Sequence, residues 1–355
     1  MKTLFRLFAV LLLLGLAAIA GGAYWALEVL KKPFPEHLAP LVVQVESGSG
    51  ATQILEQLHR AGVLPNVLLA RTYLVHQLDD PPLIAGEYRF EEPLDTRQVL
   101  AKLIRGEIVT YPVTLIEGLT FDEVAEHLAR EGFGDLETFR REVRRGERIH
   151  DLDPAANTLE GYLYPDTYRF ARGTSEKDII GALLDNFRRH YRKELESRLA
   201  SRDDISLRDL VILASIVEKE ARLQEERAQI ASVYTNRLRN GIALYADPTV
   251  IYALKLQNTW DGNIRRADLR IDSPYNTYLY PGLPPGPICS PRLASLIAAA
   301  EPADTPYFFF VSRNDGSHVF ARTLSEHNRN VEEWQRRYWR RRWAEERRQA
   351  DGGGS

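Results

Sequence analysis

Apolar residues along this chain form one long unbroken run at the start, then short alternating stretches punctuated by glycine, then segments where they recur at helical spacing. The first run, Leu7 to Leu27, holds twenty-one residues without a charge. At about 1.5 Å per helical residue it matches the roughly 30 Å hydrocarbon core of a bilayer. Lys2 and Arg6 precede it, and Tyr24 and Trp25 fall where interfacial aromatics belong. The pattern predicts an uncleaved membrane-spanning helix over 7–27 behind a short cytoplasmic tail, 1–6. A cleaved signal peptide is the competing reading, because Ala18-Ile19-Ala20 has the form of a cleavage site. The apolar run continues past that site and favours the anchor. Pro33, Pro35 and Pro40 stiffen a linker at 28–40, since each fixes its own φ and pushes the preceding residue to extended geometry.

Leu41-Val42-Val43-Gln44-Val45 predicts a strand, Gly48 and Gly50 a turn, and Ile54, Leu55, Leu58 and Val63 one face of a helix. Ala85-Gly86-Glu87-Tyr88-Arg89-Phe90 predicts a second strand. A related strand, turn and helix recurs from Val113 to Leu128, where Thr120 followed by Glu123 has capping-box spacing and marks a helix start. The unit at 41–110, above all 41–65, resembles the LysM type of glycan-binding module. An ordinary small α+β module without a ligand fits the same short pattern. The recurrence makes 111–155 a second strand-helix unit, and 140–158 reads as charged and loop-like.

The run from Leu159 to Tyr168 is an aromatic cluster that Gly161 and Pro165 keep from being a regular helix. Helical periodicity returns at 176–199 and 206–239. A loop-rich region follows, with Asp247-Pro248, Tyr275-Asn276-Thr277-Tyr278 and Gly282-Leu283-Pro284-Pro285-Gly286. A helix at about 291–300 leads to a very apolar strand, Tyr307–Val311. Asn314-Asp315-Gly316 turns that strand into Val319-Phe320 as a hairpin. An Arg-rich helix starts at Trp334, and Asp351–Ser355 reads as a disordered end. The fold class expected is α+β: one transmembrane helix, a LysM-like module, a mixed α/β domain at 156–333, and the Arg-rich helix and tail at 334–355.

Composition narrows the chemistry. With 44% hydrophobic and 27% charged residues the chain has none of the skew of disordered or collagen-like proteins. The 46 basic and 49 acidic residues leave a formal net charge of −3, so a basic nucleic-acid-coating surface is not indicated. Cys289 stands alone and cannot form an internal disulfide. There is no Cys pair or closely spaced His pair for zinc, and no Gly-Lys-Ser/Thr loop for a nucleotide phosphate. Neither a metal nor a cofactor is expected.

The most informative segment runs from Asp209 to Arg222 and contains two acids, Glu218 and Glu220. At 100° per residue, Leu213, Ile216, Val217, Ala231 and Tyr234 share one helical face, and Glu220 falls in its middle. Glu218 points roughly the opposite way, beside Arg222 and Glu225, and is expected to be solvated. A carboxyl in apolar surroundings resists ionisation and suits a general acid near neutral pH. Gln224 and Arg227 continue the face, as at a cleft bordering the core. A buried structural ion pair of Glu220 with an Arg or Lys fits the same periodicity.

Several long strings, in order, resemble a known family. They are Ala214-Ser215-Ile216-Val217-Glu218-Lys219-Glu220, Ala231–Leu238, Asp247-Pro248-Thr249-Val250-Ile251-Tyr252, Tyr275-Asn276-Thr277-Tyr278 and Gly282–Gly286. Glu160-Gly161, Tyr164-Pro165-Asp166-Thr167-Tyr168 and the late His318, Phe320 and Ser325-x-His327-Asn328 belong to the same likeness. Together they resemble the YceG-like family of endolytic murein transglycosylases, from the anchor to about residue 333. The resemblance implies a catalytic acid in the Glu-Lys-Glu string, here Glu220, on a central helix. It implies non-hydrolytic cleavage of the β-1,4 bond after N-acetylmuramic acid, closing a 1,6-anhydro ring without metal or cofactor. It also implies peptidoglycan synthases as partners, nascent strands as substrate, and a single-pass protein of the inner membrane whose catalytic part faces the periplasm. Substrate-positioning candidates are Glu160, Tyr164, Asp166, Asp247, Tyr252, Asn276 and Tyr278, each of which also suits a turn, a cap or a core. Many lytic transglycosylases place Ser or Thr after the catalytic Glu, whereas Ala221 follows here.

Two other functions compete. A non-catalytic LysM-type anchor would bind glycan without cutting it. A pyridoxal-phosphate lyase of the aminodeoxychorismate type would need a Schiff-base lysine and a phosphate cradle, and the apolar N-terminus and missing cradle speak against it.

Overall fold

The computed structural model describes residues 2–33, 40–340 and 342–343. Residues 34–39 of the linker expected at 28–40, and the end of the Arg-rich helix with the tail expected at 351–355, lie outside the described residues, while 28–31 continue the first helix rather than start a linker. The chain divides into two compact units. The first comprises the chain up to Pro112 with Arg169–Gly173; the second comprises Val113–Tyr168 and everything from Thr174. The segment 111–155, read above as a unit of its own, thus falls almost wholly in the second unit with the domain that follows it.

In the first unit, helix α1 runs from Lys2 to Lys31 and contains a stretch, Arg6–Lys31, long and apolar enough to cross a membrane. The remaining elements are β1 (Leu41–Val45), α2 (Ala51–Arg60), α3 (Val67–Gln77), β2 (Gly86–Phe90) and α4 (Thr96–Arg105). β1 and β2 pair antiparallel, with Leu41 opposite Phe90 and Val45 opposite Gly86. Alternation sends Val43, Val45, Tyr88 and Phe90 to one face, where they pack with Ile54, Leu55 and Leu58 of α2 and Val99, Leu100 and Leu103 of α4. The Tyr88 hydroxyl donates to the carbonyl of Ile84 at 2.7 Å, so its buried ring leaves no polar atom unpaired. Gly106 stops α4 in the left-handed region at φ 64.

The second unit holds β3 (Tyr111–Thr114, begun in the first), α5 (Phe121–Arg130), α6 (Leu136–Val143), β4 (Thr167–Phe170, completed in the first) and α7 (Glu176–His190). Then come α8 (Glu196–Ala200), α9 (Leu207–Glu220), α10 (Arg227–Arg239), α11 (Asp247–Leu256), α12 (Leu293–Ala300), β5 (Phe309–Ser312), β6 (His318–Ala321) and α13 (Leu324–Val331). β3 pairs with β4, and β5 with β6. The hairpin expected around Asn314 and Gly316 forms, with both residues at positive φ and Ser312 opposite His318. Its organising element is α9, against which α10, α11 and α12 all pack. Every residue from Leu210 to Glu218 is buried.

Three expectations need correction. The stretch 140–158 is not all loop: α6 extends to Val143, capped by Asp135 and anchored by buried Phe139 and Val143 one turn apart. The periodicity over 206–239 belongs to two helices. Ala221 turns extended (φ −79, ψ 117) and a short 3-10 turn at Gln224–Glu226 precedes α10. The region after Asp247 begins with a helix, because Pro248 occupies the first turn, where its missing N–H is not needed.

The Thr120–Glu123 spacing forms the reciprocal cap it predicts, Glu123 N–H to Thr120 Oγ1 at 3.3 Å and Thr120 N–H to Glu123 Oε2 at 2.9 Å. Thr120→Ala removes one half of it and lowers stability by about 1 kcal/mol. Thermal unfolding in detergent micelles followed by circular dichroism reads this as a lower midpoint, and Thr120→Ser restores it.

Candidate active site

A cleft of about 440 Å³ opens in the second unit where five elements meet. Glu220 ends α9, Tyr234 and Arg237 come from α10, and Asp247 begins α11. Phe309, Phe310 and His318 come from the hairpin, and His327 from α13. Tyr278 reaches in from a loop whose position is set by threonines. Thr277 Oγ1 accepts from the Ala246 N–H at 3.0 Å and pairs with Thr249 Oγ1 at 2.9 Å. These bonds clamp the loop to the start of α11 and bring the Tyr278 hydroxyl to Asp247 Oδ1 at 2.6 Å. Tyr245, on the cleft wall, is held at φ 51, a strained conformation for an aromatic residue.

Glu220 is half-buried on this cleft. Loss of hydration pushes its carboxyl up to about 7. The Tyr234 hydroxyl, donating to Oε1 at 3.0 Å, works against that rise. The nearby Asp247 charge adds to the rise and Arg237 opposes it. Among the described residues Glu220 has no ion pair. Arg237 spends its donors on backbone, with Nε to the Phe308 carbonyl at 2.6 Å and Nη1 to that of Leu244. Its guanidinium lies over the rings of Phe309 (5.2 Å) and Tyr245 (5.8 Å). Of the two readings left open by periodicity, the geometry gives Glu220 a cleft rather than a cation.

Glu218 is not solvated. Its side chain is 3% exposed and lies against the N-terminus of α12. Oε2 accepts from the Arg292 N–H at 3.0 Å and the Ser295 hydroxyl at 2.8 Å, while Oε1 accepts from Arg292 Nε at 3.0 Å. Arg227 Nη2 stands 3.6 Å away and is itself buried. A helical wheel sends Glu218 to water only if α9 has a wet face, and three packed neighbours leave it none.

Of the seven substrate-positioning candidates, Asp247 and Tyr278 line the cleft with Glu220. The other five are not among its lining residues. Glu160 is closed in, accepting from the Phe121 N–H at 3.0 Å and the Tyr252 hydroxyl at 2.9 Å, and burial pushes its carboxyl up to about 8. Tyr252 borders a different hollow of about 370 Å³ with Lys255 and Trp260. Asn276 is fully buried and pins its own loop through the Leu269 and Ile271 carbonyls. Tyr164 stacks on His190 at 4.2 Å, and Asp166 accepts from Asn186 at 3.0 Å. Sequence reasoning treated Tyr234 as core and did not single out Arg237, Tyr245 or Phe309 as part of the site. His318 and His327 were visible only as members of quoted motifs.

Comparison with known proteins agrees with the strings quoted above. The model of the YceG-like family matches residues 43–333, and the chain belongs to that family. An endolytic murein transglycosylase of Bacillus subtilis is 31% identical over 89% of this chain and 91% of its own length. Proteins of the same description from Streptococcus pneumoniae are 28% identical over 92% of this chain, which spans 65% of their length. The crystal structure of a yceG-like protein of Listeria monocytogenes superposes with a TM-score of 0.56 at 30% identity, covering 82% of this chain and 99% of that one.

The two acids separate in stability measurements. Glu218→Gln strips buried Arg227 of its counter-charge and lowers stability by about 3 kcal/mol, seen as a depressed thermal midpoint. Glu220→Gln acts oppositely. The folded state keeps the Glu220 proton to about pH 7, whereas an unfolded carboxyl releases it near 4.5. Folding therefore loses stability as pH rises from about 4.5 to 7. The Gln variant has the higher midpoint above pH 7, and the two proteins converge below about pH 4.

Proposed function

We infer that this chain is a lytic transglycosylase that cleaves the β-1,4 bond between N-acetylmuramic acid and N-acetylglucosamine in peptidoglycan, with Glu220 as its catalytic acid. The observation that carries the reading is a carboxyl opening on a cleft, pushed up to about 7 by loss of hydration and without an ion pair among the described residues. Membership in a family whose curated relatives are named endolytic murein transglycosylases supports it.

The chemistry needs one carboxyl in two roles. Protonated Glu220 gives its proton to the glycosidic oxygen as the C1–O bond breaks and C1 takes on oxocarbenium character. The carboxylate left behind removes the proton of the same sugar's C6 hydroxyl, and O6 bonds to C1. One bond breaks and one forms, the proton returns to Glu220, and no water is consumed. The Tyr234 hydroxyl supports the carboxylate stage, because hydrogen bonding to the charged form favours it. The faces of Tyr245, Phe309 and Phe310 offer stacking surfaces for sugar rings. Asp247 and Tyr278 are the cleft members of the proposed substrate contacts.

The remaining expectations are parts of the same proposal. Helix α1 anchors the chain in the inner membrane, with the catalytic unit on the periplasmic side, and the β1–α2–α3–β2 unit acts as a LysM-like glycan contact. The substrate is nascent glycan made by membrane-bound peptidoglycan synthases, which are the proposed partners. A tethered active site would confine cutting to newly made strands.

Incubation of the full chain in detergent micelles with purified sacculi yields fragments ending in 1,6-anhydro-N-acetylmuramic acid, identified by mass spectrometry. Glu220→Gln lowers their release by about 10²- to 10⁴-fold, while binding to sacculi persists. The parent rate falls as pH rises through about 7, where Glu220 loses its proton. Abundant anhydro ends from Glu220→Gln defeat the assignment, and binding without any new ends from the parent favours the non-catalytic anchor.

A further inference from the structure

We propose that Asp247 is a second catalytic residue, whose carboxylate, oriented by the Tyr278 hydroxyl, stabilises the cationic sugar carbon formed as Glu220 gives up its proton. This rests on the reading of Glu220 as the acid. The reaction poses an electrostatic problem that one carboxyl does not solve alone. Positive charge gathers at C1 while the Glu220 proton is still in transit, so Glu220 is not yet a full anion when the charge it must balance is largest. A fixed negative charge in the same cleft removes that difficulty.

Asp247 has the placement for it. Glu220 and Asp247 are the two carboxyl side chains among the cleft's lining residues. Asp247 is solvent-accessible rather than locked away, and no ion pair ties it up among the described residues. The cap of α11 falls on Ala246, which makes no side-chain bond, so Asp247 does not serve as the capping side chain. Its bond from Tyr278 at 2.6 Å fixes where the carboxylate points. That bond depends in turn on the Thr249–Thr277 clamp, which commits two buried hydroxyls to holding the loop against α11.

The other groups facing Glu220 do not supply this charge. Tyr234, Tyr245 and Tyr278 bring phenols rather than carboxylates, and burial pushes Tyr234 and Tyr278 up. Arg237 is cationic, and His318 is paired to Glu226 through Nδ1 at 2.7 Å. Burial lowers His327, which therefore stays neutral near pH 7. Asp247 also raises the affinity of Glu220 for its proton by like-charge repulsion, so the same group acts on both members of the reacting pair.

The test compares parent, Asp247→Asn and Tyr278→Phe as full chains in micelles, by anhydro-fragment release between pH 4.5 and 8.5 and by thermal midpoint. Asp247→Asn slows release by about 10- to 100-fold, and the falling limb moves to lower pH by about half a unit or more. Asp247→Glu keeps the charge and restores the position of the limb. Tyr278→Phe slows release with the limb in place, because the Asp247 side chain is kept and only its orienting hydrogen bond is lost. Where turnover of Asp247→Asn is too slow to profile, the carbon-13 carboxyl resonance of Glu220 reads the same shift without turnover. A parent-like rate, or a slowed rate with the Glu220 titration unmoved, overturns the proposal. An inactive Glu220→Gln beside a parent-like Asp247→Asn rejects Asp247 alone, whereas an active Glu220→Gln removes the premise.

Discussion

Placing a carboxyl at the end of a helix that is buried on every side is the constraint from which the site follows. α9 is wrapped by α10, α11 and α12, and its residues from Leu210 to Glu218 are buried. The chain leaves the helix at Ala221 with extended geometry, so Glu220 is the last side chain carried out of this interior. It emerges on the cleft partly stripped of hydration and at the negative end of the helix, and both conditions disfavour its anion. The Tyr234 hydroxyl partly offsets them, and the balance lies near neutrality. A carboxyl one turn earlier would have had no access, and one a few residues later would have been hydrated and ionised.

Glu218 shows what the same helix does with an acid it encloses. Two residues earlier, the carboxylate meets the N-terminus of α12, a buried hydroxyl and two guanidinium groups. These donors meet the acceptor demand of both carboxyl oxygens. This pairing ties α9 to α12 beside the turn that carries Glu220. The Glu-Lys-Glu string is therefore an enclosed acid followed by one that opens on the cleft. Lys219 between them donates to the Gly118 carbonyl at 3.2 Å and holds the loop before α5 against the same turn.

Local rules made much of the frame legible. Capping at Thr120, the left-handed turn at Asn314 and Gly316, and the strand alternation at 41–45 and 86–90 are short-range effects whose residues are neighbours in the chain. What stayed hidden was decided at long range. The wheel treated α9 and α10 as one rod with a wet side, and so sent Glu218 to solvent; only the packing of α12 shows otherwise. The meeting of Tyr234 with Glu220 was anticipated on one helical face, yet it arises between two helices after a break. Asp247 and Tyr278 join through threonine contacts across 28 or more residues, which no periodicity encodes. Glu160, Tyr252 and Asn276 carry polar groups in family-like strings, and their polarity is spent on holding loops and helix ends.

A raised proton affinity does not by itself single out one carboxyl in this protein. Glu160 and Glu220 each accept a tyrosine hydroxyl, and burial raises both, Glu160 to about 8 and Glu220 to about 7. On acidity alone Glu160 would be the stronger candidate. It is 2% exposed, however, and both its oxygens receive the Phe121 N–H, so no sugar oxygen can approach. Glu220 has only one oxygen engaged by a protein donor among the described residues, and it borders open volume. A general acid must meet its substrate within hydrogen-bond reach before its pKa matters. The distinction between the two carboxyls is therefore one of access, and it is set by where each chain segment ends rather than by how strongly its surroundings repel charge.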